Sequence, residues 1–94
     1  MKYELGFRKE AFEDLQESYE WYNNRKEGLG SDFLKEVEDT LKLIQSNPFL
    51  YSAIHKDIRR ALVKKFPYSI FYLVEANKII VLAVFHMSRK PIDW

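Results

Sequence analysis

The chain has no cysteine. A disulfide framework, a thiolate metal site and a cysteine nucleophile are therefore all excluded. Glycine and proline number three each, too few for a glycine-rich phosphate loop or a flexible linker. The two histidines, His55 and His86, lie far apart without acidic residues at ligand spacing, so no metal site and no cofactor is expected. The longest apolar run, residues 79–85, is too short to span a bilayer. The opening residues lack the apolar stretch of a secretion signal, so no membrane contact and a cytoplasmic location are the expectation.

What remains is the composition of a small globular protein: 94 residues, 47% hydrophobic and 31% charged. One domain over residues 1–94 is expected, because no repeat or low-complexity tract interrupts the sequence. The formal net charge of +1 hides an asymmetry. Residues 1–50 hold seven Lys/Arg and eleven Asp/Glu, a net of −4; residues 51–94 hold eight and three, a net of +5. A polyanion is repelled by the first half and drawn to the second.

Periodicity supplies the elements. Residues 2–7 alternate, with Tyr3, Leu5 and Phe7 on one side, as a half-buried strand does. From about residue 8 to 25, Ala11, Phe12, Leu15, Tyr19 and Tyr22 form a helical stripe, opposite Glu10, Glu13, Asp14, Glu17 and Glu20. Gly28, Leu29 and Gly30 break that helix, and Ser31 is placed to cap a second one bearing Phe33, Val37, Leu41 and Ile44. Asn47 before Pro48 ends it. Three strand-like runs follow, at 58–65, 68–75 and 79–87, the last two joined by a hairpin through Ala76, Asn77 and Lys78. The order read from the sequence is β-α-α-β-β-β, an α+β fold with a small antiparallel sheet and a helical hairpin packed on one face.

Candidate functional residues gather in the last third. Arg59, Arg60, Lys64 and Lys65 precede Phe66, Pro67 and Tyr68, and His86 is followed by Arg89, Lys90 and the terminal Trp94. Such a cluster at strand ends reads as an anion-binding surface on the side of the sheet that the helices leave uncovered. Each residue also has a structural reading: a hydrogen-bonded His86, solvated cations guarding a strand edge, a Trp94 that plugs the core. Arg59 and Lys65, roughly 20 Å apart along one strand, cannot both touch one phosphate. The acidic side of the first helix is a solvated face or a dock for a basic partner, and Trp21 beside Glu17 is a candidate partner anchor.

The order of these features resembles the RelE/ParE family of bacterial type II toxins. The residues that carry it are Asp14-Leu15 and Trp21-Tyr22 in the first helix, the Gly28-Leu29-Gly30 break before Phe33, Asn47-Pro48, Arg59, Phe66-Pro67-Tyr68 with Tyr72, and His86-x-x-Arg89-x-Pro91-x-x-Trp94. The resemblance spans essentially the whole chain. It implies a growth-inhibiting toxin, of the kind linked to plasmid stabilization, held silent by a cognate antitoxin.

The family divides by target. One branch cleaves messenger RNA on the ribosome without metal; the other poisons DNA gyrase and needs no catalytic group. For RNA cleavage the resemblance makes His86, Arg89 and Arg59 the catalytic candidates, with Arg60, Lys64, Lys65, Tyr68, Lys90 and Trp94 contacting nucleic acid or target. Near-neutral charge, and a last tyrosine at Tyr72 rather than near the C-terminus, favour the gyrase branch. A non-toxic binding module of the same fold is the third reading.

Overall fold

The computed structural model describes residues 3–88, a single sheet with two helices against one face. β1 (Glu4–Phe7) leads into α1 (Lys9–Arg25) and α2 (Leu29–Ser46); β2 (Ala53–His55), β3 (Ile58–Leu62), β4 (Tyr68–Glu75) and β5 (Lys78–His86) follow. The strands lie in the order β1-β5-β4-β3-β2. The α+β class and the helical hairpin on the sheet agree with the sequence reading. Two details differ. Residues 53–55, expected as loop, form the short edge strand β2, and β1 runs parallel to β5 while all other pairs are antiparallel. Short turns force antiparallel pairing on the strands they join, but no hairpin links β1 to β5 and none dictates its direction.

The core lies between the helices and one face of the sheet. α2 buries Phe33, Val37, Leu41 and Ile44, the stripe its spacing predicts, against Ala61, Ile70, Tyr72, Ile79, Val81 and Val84. α1 is rotated relative to its predicted stripe: Ala11, Ser18 and Tyr22 face inward, whereas Phe12 is 64% exposed and meets Phe7 edge-on at 5.8 Å. Small side chains at 11 and 18 let the helix lie close to β5. Asp14, read from the sequence as a solvated acid, accepts the N–H of Val84 at 3.2 Å. This bond falls beyond Val81, where the pairing of β1 with β5 stops.

Ser31 does not cap α2. Gly28 occupies the cap position with φ 87°, a left-handed conformation that glycine adopts without steric cost, and the Asn23 side chain of α1 accepts the Gly30 N–H at 3.0 Å. Gly30 itself is inside the helix. A Cβ there would stand 2.5 Å from the Tyr19 carbonyl oxygen, so glycine sets how closely the two helices approach.

β3 is shorter than its predicted run. It ends at Leu62, and Lys65 takes φ 68°, turning the chain so that its ammonium pairs with Glu36 of α2 at 3.4 Å. Arg59 and Lys65 therefore do not share a strand face.

Candidate functional site

Cross-strand register sorts the site residues by face. Arg59 pairs with Tyr72, and Tyr68 with His86, so Arg59, Tyr72, Tyr68 and His86 all point to the helix side. Arg60 pairs with Phe71 and points outward. Along β4, four residues separate the positions opposite Arg59 and His86, about 13 Å; with two strand spacings across, the pair stands roughly 16 Å apart. They cannot contact one phosphate together.

Arg59 is occupied locally. Its guanidinium donates to the Tyr51 carbonyl at 2.5 Å and lies over the Phe49 ring at 5.0 Å, pinning the loop after α2 to β3. Nearby, the Tyr72 hydroxyl donates to the Pro48 carbonyl at 2.6 Å. Burial pushes the Tyr72 phenol up to about 12, opposed in part by the positive charge of Arg59.

His86 sits at the far end of β5, its ring edge-on to Tyr68 at 5.0 Å. The Ser88 backbone N–H donates to Nδ1 at 3.2 Å, and the Ser88 hydroxyl lies 2.8 Å from the same atom. Because a backbone N–H only donates, Nδ1 is the acceptor and the ring proton of the neutral imidazole resides on Nε2. Trp21, Tyr68, His86 and Ser88 line an open hollow of about 210 Å³. Trp21 is about half exposed there, its indole carrying the Arg25 guanidinium at 4.2 Å.

Tyr68, a candidate for stacking on a base, is 2% exposed and packs among Tyr22, Phe33 and His86. No face of its ring is free for a base. Glu17 lies exposed one turn before Trp21. Lys64 and Lys65 follow β3 beside α2. Arg89, Lys90 and Trp94 lie outside the described residues.

The sheet face away from the helices corrects the sequence reading most. An anion-binding surface was expected there; among the described residues the face is apolar. Leu62, Phe71, Leu73, Ile80, Ala83, Phe85 and Met87 occupy it, with Phe71 and Phe85 edge-on at 6.4 Å and the Ser69 hydroxyl 3.2 Å from the Met87 sulfur. Among the described strand residues its cations are Arg60 at one margin and Lys78 at the other, the latter paired in register with Glu4 and Glu75. The sequence signal was present, since residues 70–74 and 79–85 are apolar on both faces. It could not show which face the helices would cover. Among the described residues no three of His, Asp and Glu stand close enough to hold a metal ion, and no helix is long and apolar enough to cross a membrane.

A family model described as the ParE toxin of the type II toxin-antitoxin system parDE matches residues 5–91. The chain belongs to the ParE toxin family. No curated protein matches the sequence. Among solved structures, the chromosomal ParDE system of P. aeruginosa aligns with TM-score 0.81 at 15% identity, over 93% of this chain and 98% of that one. A free, doubly substituted E. coli RelE aligns with TM-score 0.71 at 17% identity, over 94% and 86%. The same RelE mutant in complex with a peptide of the antitoxin RelBc gives 0.64 at 21%, over 89% and 82%. At these identities the structural likeness is one of fold, which ParE and RelE toxins share.

Proposed function

We infer that this ParE-family toxin inhibits growth by binding a protein target, DNA gyrase, and that a cognate antitoxin neutralises it. The observation that carries the reading is the outer sheet face. Seven apolar side chains line it, Leu62 and Met87 exposed, Leu73, Ile80, Ala83 and Phe85 half-buried and Phe71 buried among them, and an apolar surface of that kind suits contact with another protein rather than with a phosphate backbone. RNA cleavage needs a proton acceptor and cations converging on one phosphate. Here Arg59 is bound to the Tyr51 carbonyl and stands roughly 16 Å from His86, so the two do not converge on one phosphate. An antitoxin partner is supported by the family itself and by the RelE neighbour bound to its antitoxin peptide.

The deciding experiment is a pair of assays on the purified chain. Gyrase supercoiling is expected to stop at stoichiometric toxin, while messenger RNA on translating ribosomes stays intact. Intact supercoiling together with codon-specific cuts in the A site would reverse the assignment in favour of the ribosome-dependent endonuclease.

A further inference from the structure

Two hydrogen-bond donors stand side by side without acceptors in the hollow beneath Trp21. Tyr68 is 2% exposed, and among the described residues its hydroxyl makes no hydrogen bond. The buried side-chain atom without a partner among those residues is the Ser18 hydroxyl, so the Tyr68 hydroxyl is one that solvent reaches, in the hollow that Tyr68 lines. His86 lies beside it, the ring centroids 5.0 Å apart. Ser88 occupies Nδ1 and so holds the imidazole with its Nε2–H unspent, since that donor has no acceptor among the described residues.

A cation stands next to these donors. The Arg25 guanidinium rests on the Trp21 indole at 4.2 Å and pairs with no carboxylate among the described residues. No carboxylate lines the hollow either; Glu17, one turn before Trp21, lies outside its lining. Donors and a cation against a half-exposed indole select a negatively charged guest that only accepts. At about 210 Å³ the hollow falls short of the ~300–1,000 Å³ that holds a whole small molecule, so it fits a side chain. A carboxylate meets these terms with one oxygen for Tyr68, one for His86 and a methylene stem along Trp21. A phosphate group, with three oxygens and nearly two charges, asks for more cations than Arg25 alone.

We propose that this hollow anchors one acidic side chain, Asp or Glu, of the toxin's protein target. Met87, between His86 and Ser88 in the chain, is exposed on the outer sheet face, so the hollow adjoins the surface read above as target-binding. The source of the side chain rests on that reading. The preference for a carboxylate rests on the donors themselves.

The test uses the full chain and three blocked peptides, identical except for a central glutamate, glutamine or phosphoserine, with the Trp21 indole and His86 imidazole resonances as the readout. The glutamate peptide is expected to bind at least tenfold more tightly than its glutamine twin. Tyr68→Phe removes a hydroxyl that has no partner, and Arg25→Gln removes the charge; each, with its fold checked by circular dichroism, is expected to weaken the glutamate peptide roughly tenfold and leave the glutamine peptide unchanged. Equal binding of glutamate and glutamine, no shift at Trp21 and His86, or binding indifferent to both substitutions overturns the proposal. Tighter binding of phosphoserine gives the hollow to a phosphate and overturns it as well. In supercoiling assays both variants are expected to need about tenfold more toxin than the wild type; unchanged inhibition, with the peptide preference intact, removes the target as the source of the side chain. A wild-type chain that leaves supercoiling intact but keeps the peptide preference strikes the gyrase reading and upholds the carboxylate site.

Discussion

Tyr72 and Pro48 are joined by a hydrogen bond across 24 residues, the phenol of β4 donating to the carbonyl just beyond α2 at 2.6 Å. Tyr72 is fully buried, and the bond ties the end of the helical hairpin to the middle of the sheet. Removing the hydroxyl leaves a buried carbonyl without its partner. Tyr72→Phe is expected to cost about 1–2 kcal/mol at neutral pH, read by urea unfolding.

The same residue gives a pH dependence with a definite sign. Its folded-state pKa of about 12 lies above the ordinary 10.0, so folding favours the protonated phenol. That contribution is fully present below pH 10 and is lost as pH rises toward 12, amounting to roughly 2–3 kcal/mol over the window. Stability of the wild type is expected to fall more steeply above pH 10 than that of Tyr72→Phe. Parallel curves for the two proteins would show that Tyr72 does not titrate as described.

Gly30 is expected to tolerate no side chain. Alanine normally favours a helix interior over glycine by about 1 kcal/mol, but here its Cβ would press on the Tyr19 carbonyl oxygen, which is backbone and cannot swing aside. Gly30→Ala should therefore destabilise by about 2 kcal/mol or more, with a lowered melting temperature as the readout. A neutral or stabilised variant would mean that the helices separate readily.

Arg59 and His86 are expected to differ when substituted. Arg59→Ala releases the Tyr51 carbonyl and the Phe49 ring, so its principal effect is on stability, about 1–3 kcal/mol. His86→Gln retains a donor in the hollow beside Trp21 and should leave growth inhibition in place. Complete loss of toxicity in a folded His86→Gln protein would point back to chemistry at that imidazole.

The outer face makes the sharpest functional prediction. Met87→Glu and Leu73→Glu each place a charge among apolar neighbours without entering the core between sheet and helices. Both are expected to fold and to weaken gyrase inhibition at least tenfold, since burying an unpaired carboxylate in a protein interface costs more than about 1.4 kcal/mol. Unchanged inhibition in both would remove this face from the mechanism.

Local pattern carried much of the architecture. The stripe of Phe33, Val37, Leu41 and Ile44 gave α2 and its buried side, Asn47-Pro48 gave its end, and the short connection through Ala76, Asn77 and Lys78 gave the β4–β5 hairpin, although Lys78 itself begins β5. These depend on residues close in the chain, where period and turn chemistry suffice. The roles of Asp14 and Asn23 were not legible, because their partners, Val84 and Gly30, come from other elements.

The candidate site was legible only as a set of residue types. Sequence by itself determined an α+β fold of RelE/ParE character, with cations and an imidazole in its second half. Only the tertiary structure decided that Arg59 and His86 turn inward at opposite ends of the sheet while Leu62, Phe71, Phe85 and Met87 turn outward. The physical reason is that strands apolar on both sides have no intrinsic preference for one face; the helices choose it by packing, and the choice fixes where every neighbouring charge must point.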